Sequence, residues 1–297
     1  EIIFENILKS MIEKYKDNKG VADIYYEYAS LYNRLGNAYN PLSNKDAKWH
    51  IKKAKEICEI PLDKYKDTTG ARNCEYLISL IEAKQLNLTT EATVIPNKPV
   101  LSLLNYKNID KVYVRVIKTT RDEFKDAIYK FYGMNFIAHY IDKPIYKEFN
   151  IAIPNDGDYQ KHSTELKLEP LENGVYVLLV SENEKFNMVD GAVAYSTIHS
   201  SNISFLAQNS YNEGNLKYFV TDRTTGQPLN NASVQLWHQE WSSYQQKYVY
   251  EKGKLLKTDK NGIVNIKYSD AKNGYFQTEF INGKDSLFTE DSFYLYK

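Results

Sequence analysis

Two turns that the sequence forces between short apolar runs restrict what this chain can fold into. In residues 220–236, the run Thr-Thr-Gly-Gln-Pro separates two predicted strands, and Ala232, Val234 and Leu236 alternate so that they share one strand face. Further along, Asn261-Gly262 predicts a tight hairpin, because this pair accepts the positive φ that such a turn needs. Both signals predict an extracytoplasmic β-sandwich, a type of module that usually holds or binds without doing chemistry.

Residues 1–88 instead show apolar residues at three- and four-residue spacing, which predicts a helical bundle. The spacing predicts that the first helix turns Ile3, Ile7, Met11 and Tyr15 inward. It predicts the same for Ala47, Ile51, Ala54 and Cys58 of the third helix, and for Cys74, Leu77 or Ile78, and Ile81 of the fourth. Gly36 is predicted to end the second helix and Pro61 the third.

After residue 88 the apolar period changes to that of β-strands. Strands are predicted at 100–108, 111–118, 145–153, 163–169, 174–181 and 191–199, with a helix inserted at 121–132, and later strands include 244–250. The fold class is therefore an α + all-β multidomain chain with a helical bundle (1–88) and two Ig-like antiparallel β-sandwiches (89–201 and 202–297).

Charge and hydropathy exclude some classes of partner. Lys plus Arg equals Asp plus Glu at 38 each, so no net field draws the chain to nucleic acid. No run approaches the roughly 18 apolar residues of a membrane span, and no signal-peptide segment is recognisable. The chain starts at Glu1 without Met, and we expect it to be cut from a longer protein at both ends.

The two cysteines, Cys58 and Cys74, each fall on the apolar seam of a predicted helix. Neither lies in a Cys-x-x-Cys or zinc-type arrangement, which argues against metal binding. A disulfide between them is expected in an oxidising compartment, and two buried free thiols are the alternative.

A search for catalytic motifs finds no nucleophile elbow, zinc helix or phosphate loop, so neither an enzyme nor a cofactor is predicted. His238 and Glu240 are the nearest approach to an acid/base pair, and we expect them at the surface of a hairpin end. The runs beginning at Asp156 and Asp259 are interpreted as turns, because neither continues with the acidic residues of a calcium loop.

Five aromatic residues are concentrated in one segment: Trp237, Trp241, Tyr244, Tyr248 and Tyr250. Exposed together, they could stack on sugar rings or contact a partner protein. An inner sheet face explains them almost as well, because alternation along 244–250 would place the three tyrosines on one side.

Several segments resemble macroglobulin domains of bacterial alpha-2-macroglobulin-like proteins. Residues 99–118 resemble the opening strands of such an MG2-like domain, through the run Leu-Asn-Tyr-Lys-Asn-Ile-Asp-Lys-Val-Tyr-Val-Arg-Val. Residues 171–178 resemble a strand late in the same domain. Residues 220–236, 258–266 and 285–287 resemble parts of a following domain. The helical region with Gly70-Ala71-x-x-Cys74 is similar to Bacteroidetes-type members, so that the resemblance covers about residues 45 to 297.

The resemblance implies a non-catalytic structural fragment of an exported, periplasmic or cell-surface protein whose role is endopeptidase inhibition. Its partners would be neighbouring macroglobulin domains and, through the parent protein, proteases; a membrane would be reached only through a lipid anchor outside this segment. Cys58 and Cys74 are followed by Glu-Ile-Pro and Glu-Tyr-Leu, so neither matches the Cys-x-Glu-Gln thioester of members that trap proteases covalently. The alternative is a surface Ig-like module that binds glycan or protein.

Overall fold

The computed structural model describes residues 2–189, 191–210, 214–244, 246–272, 275–289 and 292–295. Its N-terminal part consists of α1 (Ile2–Lys14), α2 (Val21–Asn37), α3 (His50–Lys64) and α4 (Thr69–Glu82), with a short 3-10 helix over Lys45–Trp49. The predicted seams are confirmed where α2, α3 and α4 pack together: Ile51, Ala54, Cys58, Cys74, Leu77 and Ile81 are buried in one cluster.

The predicted inward face of α1 is wrong. Ile3 and Ile7 are 78% and 49% exposed, whereas Leu8 is 5% exposed. The reason is that α1 packs mainly against a single neighbour, α2, so only a narrow side of the helix is covered. On that side the carboxylate of Glu5 accepts hydrogen bonds from the Tyr28 and Tyr32 hydroxyls at 3.2 and 2.9 Å.

Gly36 and Pro61 do not end their helices as predicted. Gly36 lies inside α2, where a Cβ would sit 2.7 Å from the backbone nitrogen of Ile51, so it allows α2 to approach α3 closely. Pro61 lies inside α3, and its carbonyl accepts from the Tyr65 N–H at 3.0 Å. Proline lacks the N–H that would bond to the preceding turn, but its own carbonyl can still accept, so the helix continues to Lys64.

The first pair of sheets follows α4. One sheet has the order β1-β3-β6, formed by Gln85–Thr90, Val100–Lys107 and His162–Leu168. The other has the order β2-β8-β7-β4-β5, formed by Thr93–Val94, Val193–Ser200, Gly174–Ser181, Lys111–Thr119 and Lys147–Ala152. Their neighbours are antiparallel except β2 and β8, which pair in parallel. Val112, Val114 and Val116 alternate along β4 and enter the core between the sheets.

Two helices cover the outer side of this sandwich. The predicted inserted helix is present as α5 (Arg121–Lys130), where the Thr120 hydroxyl caps the Glu123 N–H at 3.2 Å. A further helix that the sequence did not predict, α6 (Met134–Ile141), follows it. Together they bury the outer residues of β4 and β7, which explains why β7 is apolar on both faces.

The second pair of sheets begins at Ile203. One sheet has the order β13-β10-β9, formed by Ile263–Lys267, Asn215–Asp222 and Ile203–Ser210. The other has the order β12-β11-β14-β15, formed by Lys247–Lys257, Ser233–Ser242, Tyr275–Asn282 and Asp285–Phe288, with β16 (Phe293–Tyr294) beside β14. Ala232, Val234 and Leu236 are buried, as their alternation predicted. The α + all-β multidomain fold class is confirmed.

The turn at Asn261-Gly262 is present, but the hairpin predicted from it is wrong. β12 pairs with β11 and β13 pairs with β10, so this turn carries the chain from one sheet to the other. Gly262 has φ +73°, and its carbonyl accepts a hydrogen bond from the Val220 N–H at 2.8 Å. The turn is therefore anchored on β10, the central strand of the sheet that β13 joins.

Among the helices in the described ranges, none has the length and apolar character needed to span a membrane.

Candidate functional site at the junction of the two sandwiches

The connection between the sandwiches is short and buried. β8 ends at Ser200 and β9 begins at Ile203, and Ser201 between them is fully buried. The backbone N–H of Asn202 donates to the Asp285 carboxylate at 2.8 Å, and its carbonyl accepts from the Arg223 N–H at 2.6 Å. These bonds fix the connection to the second sandwich. It therefore differs from the exposed, flexible linkers that commonly join domains.

Lys125 of α5 extends into the second sandwich. Its side chain is 1% exposed, and its ammonium donates to the carbonyl oxygen of Thr289 at 3.0 Å and to the amide oxygen of Gln277. The same ammonium lies 4.7 Å from the ring centroid of Phe288 and 5.3 Å from that of Tyr250. A buried cation is tolerated only where such groups replace its water shell, so Lys125 binds the two sandwiches together.

Arg121 lies one turn before Lys125 and contacts the same sheet. Its guanidinium stacks on Trp237 at 3.7 Å and is 3.7 Å from the Glu279 carboxylate, which also accepts from the Trp237 indole N–H at 2.9 Å. Burial lowers the pKa of Arg121, and Glu279 and Asp122 act in the opposite direction. The arrangement holds a planar cation between an aromatic face and a carboxylate, a geometry suited to arginine rather than lysine.

Apolar contacts complete the junction. Phe288 of the second sandwich is 4% exposed and belongs to the same cluster as the residues of α5, α6 and the outer face of β7. Its ring packs against His199 at 4.6 Å and Phe124 at 6.0 Å. The side chains of both sandwiches therefore share one continuous core at this point.

Replacing Lys125 with alanine is expected to destabilise the chain by about 2–4 kcal/mol. The change removes the ammonium that donates to the Gln277 and Thr289 oxygens, which costs about 2–6 kcal/mol for two such acceptors, and removal of the cost of burying a cation offsets part of this loss. Chemical unfolding followed by circular dichroism measures the loss.

Lys130→Ala is the matched control for Lys125→Ala. Lys130 lies on the same helix, is exposed, and pairs with Asp126 at 2.9 Å four residues away, so its loss should cost only about 0.5 kcal/mol. Equal losses for the two variants would mean that the buried position of Lys125 contributes nothing.

Those residues of the predicted aromatic cluster whose side chains are described lie in two separate places. Trp237 and Tyr250 are half-buried at the junction, whereas Trp241 and Tyr244 are 56% and 97% exposed near the tip of the β11–β12 hairpin. The side chain of Tyr248 lies outside the described part of the chain. The strand predicted over 244–250 begins only at Lys247, so Tyr244 lies in the turn and the three-tyrosine alternation is wrong.

The sequence did not single out Arg121 or Lys125. A usable signal was present, because the two cations lie four residues apart on either side of Phe124, on the apolar side of an otherwise polar helix. Cations on that side are buried unless the helix lies at an exposed edge. A buried cation requires partners from another element.

His238 is placed differently from the expectation of an exposed hairpin end. It is 7% exposed, and its Nδ1 lies 3.0 Å from the carbonyl oxygen of Tyr275. Its ring lies over Gly253, where a Cβ would be 2.1 Å from Nε2, so a glycine is needed on the neighbouring strand. Glu240 pairs with Lys272, and both Glu240 and His238 line a cavity of about 290 Å³.

The two acidic turns have structural roles. The Asp259 carboxylate accepts from the N–H groups of Asn261 and Ile263 at 2.9 and 2.8 Å, which closes its own turn. Asp156 instead forms an ion pair with Lys48 at 2.6 Å and so links the first sandwich to the helical region.

Cys58 and Cys74 are buried, free and adjacent across α3 and α4. Interaction with the Cys74 thiol, together with burial, raises the pKa of the Cys58 thiol. The disulfide remains a prediction, and the fold places both partners on facing helices as it requires.

Oxidation of this cysteine pair is expected to raise the free energy of unfolding by about 3 kcal/mol, because the bridge closes a loop of roughly 15 residues. Unfolding curves with and without a reducing agent measure the difference, with Cys74→Ala as the control that should not respond. Mass spectrometry of chain folded with oxidised glutathione should show a mass lower by two hydrogens; two alkylatable thiols after that treatment would contradict the prediction.

No protein-family model matches the sequence, and no curated protein matches it either. Among solved structures, native alpha-2-macroglobulin from Escherichia coli spanning domains MG0-NIE-MG1 shares 12% identity over 69% of this chain and 64% of that chain, with a TM-score of 0.47. A shorter fragment spanning NIE-MG1 shares 13% identity over 69% and 96%, with a TM-score of 0.43. Red sea bream transglutaminase shares 11% sequence identity over 79% of this chain and 35% of that chain, with a TM-score of 0.31.

The chain thus spans less than two thirds of the first of these structures. At such identities and TM-scores, the likenesses establish no function for this chain.

Proposed function

We propose that this chain is a non-catalytic structural part of an exported alpha-2-macroglobulin-like protein of the Bacteroidetes type, in which it serves as a rigid spacer. The observation that supports this most is the junction: Lys125 of the first sandwich is buried against the second, and Arg121 is partly buried beside it. Such a contact suits a wall that keeps a fixed shape, since each sandwich has its own core and the two are also bound to each other.

The sequence resemblance supports the same role. The segments that resemble macroglobulin domains contribute β3, β4 and β7 to the first sandwich and β10 and β11 to the second. We propose the division into 1–88, 89–201 and 202–297 on this basis. Neighbouring macroglobulin domains would continue the wall, and a lipid anchor outside this segment would hold the protein at the periplasmic membrane face or cell surface.

In this proposal the parent protein inhibits endopeptidases, and the present chain supplies shape without chemistry. A thioester is absent from its sequence, because neither cysteine begins Cys-x-Glu-Gln. Any trapping in this part would therefore be steric, driven by cleavage elsewhere in the parent.

Incubating the full-length parent with proteases of different specificity tests the function. We expect a lower rate of cleavage of a large protein substrate, an unchanged rate on a small peptide substrate, and a change in the hydrodynamic radius of the parent. Inactivated protease is the control and should leave the radius unchanged. Unchanged protease activity together with an unchanged radius would overturn the proposal.

A surface-binding module is the second candidate, and the exposure of Trp241 and Tyr244 is the observation that favours it. Rings presented at a hairpin tip can stack on sugars or enter a protein pocket. Binding of the chain to a glycan array should then fall when both residues are changed to alanine, whereas Trp237→Ala should act only through stability. An array with no binding by the unaltered chain would remove the glycan form of this candidate.

A further inference from the structure

A cleft between the helical region and the first sandwich has a chemistry that the spacer role does not use. Its volume is about 560 Å³, within the usual range for a small-molecule site. Tyr39 and Ile51 line it from the helical side, and Lys107, Tyr159, Lys161 and His162 from the sandwich side. The cleft therefore combines aromatic and apolar walls with several positive groups.

Two lysines face each other at the end of the β3–β6 pair. The last paired positions are Tyr106 and His162. Lys107 and Lys161 are the next residues along the two segments. Like charges in such cross-strand positions are destabilising. Burial, and then the positive charge of Lys161, lower the pKa of Lys107.

No carboxylate among the described residues neutralises this pair. The Lys107 ammonium is 8% exposed and donates to the carbonyl oxygen of Leu80 at 3.1 Å, and Lys161 is exposed. Within the described ranges, neither lysine has an acidic side chain within 4.0 Å. Near the cleft, Lys48 forms an ion pair with Asp156, and this pair does not include Lys107 or Lys161.

Asp158 is an acidic group beside the cleft and contacts His162. It is 1% exposed, and one of its oxygens lies 2.9 Å from His162 Nε2 and 2.9 Å from the Gln160 N–H. The other oxygen is 4.0 Å from the Lys48 ammonium. This carboxylate therefore orients the imidazole, and it forms no ion pair with Lys107 or Lys161 in the described part of the chain.

We propose that this cleft binds a small organic anion, with its carboxylate or phosphate group between Lys107 and Lys161 and its body against Tyr39 and Tyr159. An anion there would remove the repulsion between the lysines and gain charge-assisted hydrogen bonds. The Tyr159 ring lines the cleft, where it can pack against an unsaturated or aromatic body. The inference does not depend on the proposed spacer role.

Calorimetric titration of the full chain at low salt tests the site with three probes: phenyl phosphate, phenylacetate and the neutral benzyl alcohol. Saturable binding is expected for one or both anions and not for the alcohol, and the stronger of the two anions identifies the acid group. Lys161→Gln should weaken binding about tenfold, since one charge-assisted hydrogen bond is lost. Lys107→Gln should weaken binding by a similar factor. If this buried substitution prevents folding, the exposed Lys161→Gln still tests the site.

Lys167→Gln is the matched control, because Lys167 is an exposed lysine of the same strand that does not line the cleft. It should leave the affinity unchanged. Absence of saturable anion binding would overturn the proposal, and so would equal weakening by Lys167→Gln and Lys161→Gln, which would indicate unspecific attraction to surface charge.

Discussion

Replacing Gly262 with alanine is expected to destabilise the second sandwich by about 2–5 kcal/mol. Its φ of +73° is a left-handed conformation that costs an ordinary residue about 1–2 kcal/mol. In addition, a Cβ would lie 2.4 Å from the carbonyl oxygen of Val220, and overpacking of this kind adds about 1–3 kcal/mol. The Asn-Gly turn could yield only by moving away from β10, which would break the Val220–Gly262 hydrogen bond.

Gly226→Ala separates these two contributions. Gly226 has the same φ of +73°, but a Cβ there would meet nothing within 4 Å. It should therefore lose only the conformational part. Urea unfolding in a Trp49→Phe background measures both variants, because the remaining tryptophans, Trp237 and Trp241, then report on the second sandwich. Equal losses for Gly226→Ala and Gly262→Ala would show that the approach to Val220 is unimportant.

Gly70→Ala is expected to destabilise the helical region by about 2–4 kcal/mol, although glycine to alanine within a helix normally stabilises by about 0.5–1 kcal/mol. The reason for the reversal is contact with the backbone of α2: a Cβ would lie 2.2 Å from the carbonyl carbon of Ala22 and 2.3 Å from the nitrogen of Asp23. Backbone atoms cannot rotate away, so α4 would have to move as a whole.

The matched control for Gly70→Ala is Gly20→Ala. A Cβ at Gly20 would meet only the flexible side chain of Asn18, at 3.2 Å, so the expected change is below about 1 kcal/mol. Thermal unfolding followed by the helical circular dichroism signal gives both values. A Gly70→Ala chain as stable as the unaltered one would contradict the packing of α4 on α2. The result also gives a physical reason for the Gly-Ala-x-x-Cys run noted in the sequence.

Local patterns predicted the elements of the fold well, because the relevant physics lies within each segment. Alternation placed Val234 and Leu236 in a core, and helical spacing did the same for Ile51 and Cys74. The failures concern relations between segments. The stripe beginning at Ile3 is helical as predicted, but the sequence does not show that, among the described elements, α1 packs mainly against α2.

The Asn261-Gly262 turn failed for a related reason. Its positive φ follows from the sequence, but the partner of the strand that follows depends on long-range pairing with β10. The junction was also out of reach, because the groups that make burial of Lys125 tolerable, Gln277 and Thr289, lie far away in the chain. The position of Lys125 on the apolar side of α5 indicates burial, but the partners that make this burial tolerable are known only from the fold.

The distance between the two sandwiches tests the central claim most directly. Cysteines introduced at the exposed positions Glu165 and Lys260 allow one spin label on each sandwich, while Cys58 and Cys74 are buried. Pulsed dipolar spectroscopy of the unaltered junction should give a single narrow distance distribution, and Lys125→Ala should broaden it. A broad or multiple distribution in the unaltered chain would contradict the account of a rigid spacer.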